Sequence, residues 1–381
     1  MRSRIQLAAA LFVAFICFSI ACQKGIKPGP LAEESQSKPP PPSPPTGETK
    51  TPIQIYGAWH AGNDFCIWGT ERTELEFDSK NHWLIDRGDG RPSVNIVVLS
   101  FLHPLKLLNL TTDATTLNGV PRGMTPTIIN YFKSRGVRVM LSIGGITYTD
   151  FWNTALSTNA EQLGLNAAAV AQQLGAGIEI DYEENSNPNL TGLQTFINAY
   201  RSQLPYDATG NNHAARLTID LGAGDRWLID ICRKATADWL TTSNPVLDYA
   251  NAMVPARQPS VSSAIANWQE HVDGKPQYGP PIPPLAPAKF TGGLYLVGSR
   301  PIAECTSFNS SLQKSTSSFV QSVLPKIPGA TPGMLGYMFW AAECPGTRSV
   351  CTTPPNSCEG GMGAGASYFD IPIPMTPLRQ Q

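Results

Sequence analysis

Ala176-Gly177-Ile178-Glu179-Ile180-Asp181-Tyr182-Glu183 is the stretch that decides how this chain folds. Acids and large apolar residues alternate along it, and alternation with every second residue on one side is the signature of a β-strand. Glu179, Asp181 and Glu183 therefore face one way, and Ile178, Ile180 and Tyr182 face the other. The isoleucines give the strand a face to bury. A row of acids on the opposite face has no use as packing. Its members interact, and like charges brought close together keep at least one proton at neutral pH.

Short runs rich in β-branched residues recur on both sides of this strand. They are Ile53–Trp59, Val94–Leu102, Arg138–Gly145, Arg216–Gly222, Leu247–Val254, Gly292–Val297 and Met334–Ala341, with Gly177–Glu183 fourth in order. Helical stretches lie between several of them. Thr125-Pro126 supplies a capping residue and a first-turn proline, and Gly136 closes that helix. Ala160–Leu174, Gly192–Leu204 and Asp225–Ala235 are further helices, whereas Val254–Lys289 is proline-rich and gives a poor helical signal. Strands alternating with helices predict an α/β fold, the parallel (β/α)8 TIM barrel. A doubly wound open sheet is the alternative, and it lacks the G-x-G-x-x-G turn that usually follows an early strand. In a barrel the site forms at the carboxyl ends of the strands. Glu183 would stand there, with Asp181 and Glu179 one and two layers deeper.

The 381 residues carry a net charge of −1 with 15% charged residues, which gives no support for binding nucleic acid. Residues 1–21 read as a lipoprotein-type signal peptide. Arg2 and Arg4 precede an apolar run from Leu7 to Ala21, which ends in Ser19-Ile20-Ala21-Cys22. Cys22 would take the lipid, anchoring an exported protein to a membrane at the bacterial cell surface or outer membrane. The alternative is an ordinary signal and a secreted protein. Residues 22–51 form a tether stiffened by Pro39–Pro42, Pro44 and Pro45. Residues 52–381 form the barrel domain. Apart from Cys17 in the signal and Cys22, six of the eight cysteines remain: Cys66, Cys232, Cys305, Cys344, Cys351 and Cys358. An even number in an oxidising compartment predicts disulfides. No C-x-x-C pair or histidine cluster accompanies them, so a zinc site is the weaker reading.

With these residues in place the sequence resembles glycoside hydrolase family 18, the chitinases and endo-β-N-acetylglucosaminidases. That family's fourth strand reads D-G-x-D-x-D-x-E, and Gly177, Asp181 and Glu183 match it, while Ala176 and Glu179 replace aspartates. Ser142-Ile143-Gly144-Gly145 matches the third-strand S-x-G-G. Met338-Phe339-Trp340 matches the eighth-strand M-x-W, and Asp248 to Met253 matches much of the sixth-strand motif.

The resemblance implies cleavage next to N-acetylglucosamine, in which the substrate's own acetamido group is the nucleophile. Glu183 would be the acid and base, Asp181 would orient the acetamido group, and Glu179 would share a proton with Asp181. Trp340, Met253, Trp59, Gly144 and Gly145 would border the substrate, and Tyr148 and Trp152 would extend the cleft or pack the loop onto the barrel. The implied protein is a monomer that needs no metal and no cofactor, and its partner is a glycan containing N-acetylglucosamine, either chitin or the N-glycan core.

The departures are specific. Pro255 and Ala256 stand where the family has Tyr and Asp, and Arg257 and Gln258 are the nearest substitute donors. The interval from Gly293 to Met334 has no room for a chitinase insertion domain, which implies an open groove and endo cutting. After Ala342 the segment is irregular and cysteine-bearing. A non-catalytic glycan-binding protein on a degenerate barrel is the reading from another class.

Overall fold

The computed structural model describes residues 51–61, 68–86, 90–222, 227–253, 260–295, 310–340 and 342. Among them, eight parallel strands close into a barrel in the order β1-β8-β7-β6-β5-β4-β3-β2. These are β1 (Ile55–Ala61), β2 (Ile96–Leu102), β3 (Arg138–Gly144), β4 (Gly177–Asp181), β5 (Leu217–Leu221), β6 (Ala250–Ala252), β7 (Phe290–Tyr295) and β8 (Gly336–Trp340). Each lies within or across one of the predicted runs. The open doubly wound sheet is excluded, because β1 pairs with β8 from Ile55↔Gly336 to Trp59↔Trp340. The helices between them are α1 (Glu74–Ile85), α2 (Pro104–Leu108), α3 (Pro126–Lys133), α4 (Thr149–Leu174), α5 (Leu190–Gln203), α6 (Ile229–Lys234), α7 (Val261–Asp273) and α8 (Ser310–Ser322).

Alternation along the strands divides the core in two. Ile178, Ile180, Leu217, Ile219 and Phe339 face outward into the layer shared with the helices. Ile55, Trp59, Val98, Met140, Tyr249 and Met338 face inward and fill the lumen. The barrel is therefore a packed core whose polar inward residues have no water to turn to.

Local chemistry sets the helix limits. Thr125 accepts a hydrogen bond from the Ile128 N–H at the start of α3, and Gly136 takes a left-handed φ of 75° after its end. The helix predicted from Ala160 is only the second half of α4. The chain breaks at Asn159 (φ −163°, ψ 80°), whose side chain accepts from the Gln162 N–H and starts the next turn. The proline-rich stretch does contain a helix, α7. Its apolar positions Val261, Ala264, Trp268 and Val272 are buried at helical spacing, and the prolines lie outside its limits.

Cys232 corrects the predicted cysteine set. It is a free thiol, buried on α6 with its Sγ 3.7 Å from His271 Nδ1. The other five candidates for pairing lie outside the described residues. So do the signal segment, the proline tether, Pro255 to Gln258 and the segment after Ala342.

Candidate active site

Strand β4 carries Glu179 and Asp181 into the lumen. Glu179 lies level with Ser142 on β3 and Thr218 on β5, and Asp181 lies level with Gly144. Glu179 has no exposed surface. Its Oε1 accepts from the indole N–H of Trp59 at 2.9 Å, and its Oε2 accepts from the Asn251 amide at 2.6 Å. Asn251 is itself held, since the Thr291 hydroxyl donates to its Oδ1. The carboxyl of Asp220, from β5, is also within hydrogen-bonding reach of Glu179. Asp181 is buried, and its Oδ1 has no hydrogen-bond partner.

Glu183 lies past the last residue of the strand, at the barrel mouth, and is half-buried. Tyr182 presents it there. The Tyr182 ring is buried outward, its hydroxyl donates to Asn153 of α4, and the same oxygen accepts from the Asn189 N–H at 3.0 Å. The chain after Asp181 is thereby pinned to both α4 and the start of α5, which leaves Glu183 facing the mouth.

The electrostatics follow from drying these carboxyls. Burial pushes Glu183 up to about 7, although the Ile146 N–H and Trp227 pull against that rise by hydrogen bonding to it. Burial likewise pushes Glu179 up to about 7 against its hydrogen bonds, of which the one from Trp59 is the strongest. Asp181 is held well above the ordinary carboxylate range, first by burial and then by the charges of Glu183 and Glu179. Asp220 is raised in the same way, by burial and then by the charges of Glu179 and Asp181. Such a group titrates as a unit and retains protons at neutral pH.

Gly144 and Gly145 permit this closeness. A Cβ on Gly144 would lie 1.9 Å from the Asp181 carbonyl oxygen and 2.3 Å from the Trp152 indole nitrogen. One on Gly145 would meet the Phe101 ring at 2.9 Å. Both glycines also hold positive φ, 123° and 90°.

The aromatic residues separate by depth. Trp340 is half-buried at the end of β8 and stacks on Phe101 with centroids 5.8 Å apart and planes at 23°. Trp59 is buried beneath, 6.3 Å from Trp340, as a hydrogen-bond donor to Glu179. Trp152 is fully buried and donates to the Ile143 carbonyl at 3.1 Å, so it packs the loop onto the barrel. Tyr148 stands on the rim beside His103 and the exposed Phe151. Met253 is half-buried, packs on the outer core, and donates its N–H to Leu221 O.

Asp220, Thr291, Phe101 and Trp227 were not singled out by sequence reasoning. Asp220 left one signal, an acid on the inward side of the otherwise apolar Leu217-Thr218-Ile219-Asp220-Leu221. The others gave none, because only barrel closure brings them to this place. Among the described residues, no group of His, Cys, Asp and Glu is arranged to hold a metal ion.

No family model matches the sequence, and neither does any curated protein. Three solved structures run alongside it in backbone course. A GH18 chitinase from Pseudoalteromonas aurantia is 13% identical, with 77% of this chain and 94% of that one covered at a TM-score of 0.47. A chitinase from Bacteroides thetaiotaomicron is 14% identical, covering 76% and 89% at 0.46. The chitinase ChiC from Aspergillus fumigatus is 15% identical, covering 78% and 95% at 0.47. At that level of likeness the barrel rests on its own strand order, and the chemistry rests on its own residues.

Proposed function

We propose that this protein hydrolyses β-1,4 linkages next to N-acetylglucosamine, with the substrate's acetamido oxygen as nucleophile and Glu183 as acid and base. The observation that carries this reading is Glu183 at the mouth, pushed up to about 7, directly beyond the buried Asp181 with its unpartnered Oδ1.

Glu183 donates its proton to the glycosidic oxygen as the bond from that oxygen to the anomeric carbon breaks. The acetamido carbonyl oxygen forms a bond to the same carbon, giving an oxazolinium ion. The free Oδ1 of Asp181 accepts from the acetamido N–H, which aims the carbonyl and offsets the developing positive charge. Water then attacks the anomeric carbon, Glu183 takes its proton, and the acetamido group is released with the original configuration. Because the nucleophile comes from the substrate, the usual spacing rule for two carboxylates does not apply. The Trp340 face, backed by Phe101, is the apolar surface for the reacting sugar ring.

Chitooligosaccharides and a high-mannose glycopeptide test this and separate its two substrate forms. Purified protein should release products ending in N-acetylglucosamine from one of them. Glu183→Gln should lower the rate by about 10²-fold or more, the loss typical of a removed general acid. Binding of both glycans without any product would overturn the hydrolase reading in favour of a binding protein. Cleavage that survives Glu183→Gln would overturn the assignment of the acid.

A further inference from the structure

Asp220 and its neighbour Glu179 are the acids of this cluster to which the reaction above gives no task. Asp220 is 2% exposed, its Oδ1 has no partner, and its carboxyl reaches Glu179. Two carboxyls that close, both out of water, cannot both be charged, so one of them holds a proton and donates it to the other. The surroundings decide which. Glu179 already accepts N–H donors on both oxygens, from Trp59 and from Asn251, and Asn251 cannot turn away because Thr291 fixes its carbonyl. Donors on both oxygens stabilise the charged form of Glu179. Asp220 has no such set, and burial raises it further.

We propose that Asp220 is a positioning acid: its carboxyl donates a hydrogen bond to Glu179 and completes a ring of donors that keeps the Glu179 carboxylate charged and still. The carboxylate then acts on its neighbours from a fixed place. Its charge is among those that hold the proton on Asp181, so the proton exchanged during a cycle is confined to Asp181 and Glu183. The titratable groups facing Asp220 are Glu179, Asp181 and Glu183 from the β4 segment. Tyr249, just before β6, borders Glu179, and Arg138 and Arg216 lie near Tyr249. The kinetic consequences rest on the hydrolase reading, whereas the placement of the proton does not.

The test has two arms for that reason. In the first, infrared difference spectra of full-length protein at neutral pH compare wild type with Asp220→Asn. A carboxylic-acid carbonyl band should be present in wild type and lost in the variant, and a spectrum without that loss overturns the proposal. In the second arm, kcat/KM on a chitooligosaccharide is followed against pH. Asp220→Asn keeps an N–H donor toward Glu179, so its profile should overlay wild type within about twofold. Asp220→Val removes the donor and keeps the site dry. Glu179 then takes up a proton, its charge no longer raises Asp181, whose titration is tied to that of Glu183, and the alkaline limb should move down by about half a pH unit or more. A valine profile that overlays wild type, or an asparagine profile displaced like that of valine, overturns the positioning role. If the wild type cleaves nothing, the hydrolase reading fails and the infrared arm still decides where the proton sits.

Discussion

At the scale of single residues, the site consists of carboxyls whose protons are retained by burial. Glu183 stands near 7 in the folded chain against an ordinary value of 4.5. Below the ordinary value both the folded and the unfolded chain hold its proton, and stability is unaffected. As pH rises from about 4.5 to about 7, the unfolded chain loses the proton that the folded chain keeps, so stability falls and the loss is complete above about 7. Thermal unfolding measured across that window should show a falling midpoint, with a shallower fall in Glu183→Gln. Equal slopes in the two proteins would mean that Glu183 is not held protonated. The alternation of Glu179, Asp181 and Glu183 was open to view in the sequence, because a strand's two faces are written into neighbouring positions. Asp220 was not, since its meaning depends on a carboxyl from a different strand.

At the scale of elements, strands β3 and β4 meet at Gly144 with no room for a Cβ. A methyl group there would overlap the Asp181 carbonyl oxygen, and the φ of 123° disfavours any other residue. Gly144→Ala should therefore cost about 2 kcal/mol or more of stability, read from the urea midpoint at unchanged m-value. An alanine variant as stable as wild type would mean that the two strands do not meet this way. Strand positions were legible because each runs inside an apolar segment. The interruption at Asn159 and the helix α7 were less so. A one-residue break leaves the apolar period of α4 nearly intact, and prolines on both sides of α7 hid its pattern of Val261, Ala264, Trp268 and Val272.

At the scale of the molecule, closure of the barrel assembles what the sequence scatters. Trp59 and Asn251 come from strands far from Glu179 in the chain, yet each gives it a hydrogen bond. The lumen is also graded in charge along its axis. The acids sit toward the carboxyl ends of the strands, while Arg138 opens β3 and Arg216 precedes β5 at the other end. Barrel class was readable from the alternation of strands and helices, but this grading was not, because it requires the strand register. The buried thiol of Cys232 has a consequence for the whole chain through simple parity. Of the eight cysteines, Cys17 leaves with the predicted signal, Cys22 is the predicted lipid carrier, and Cys232 is free. In a chain processed and lipidated as the sequence predicts, the remainder, Cys66, Cys305, Cys344, Cys351 and Cys358, is odd in number and cannot all pair within one chain. Thiol titration of the unfolded, unreduced protein should find at least one reactive sulfur besides Cys232, unless a non-reducing gel shows a covalent link to a second chain. A single titratable thiol in a protein that runs as a monomer would contradict that count.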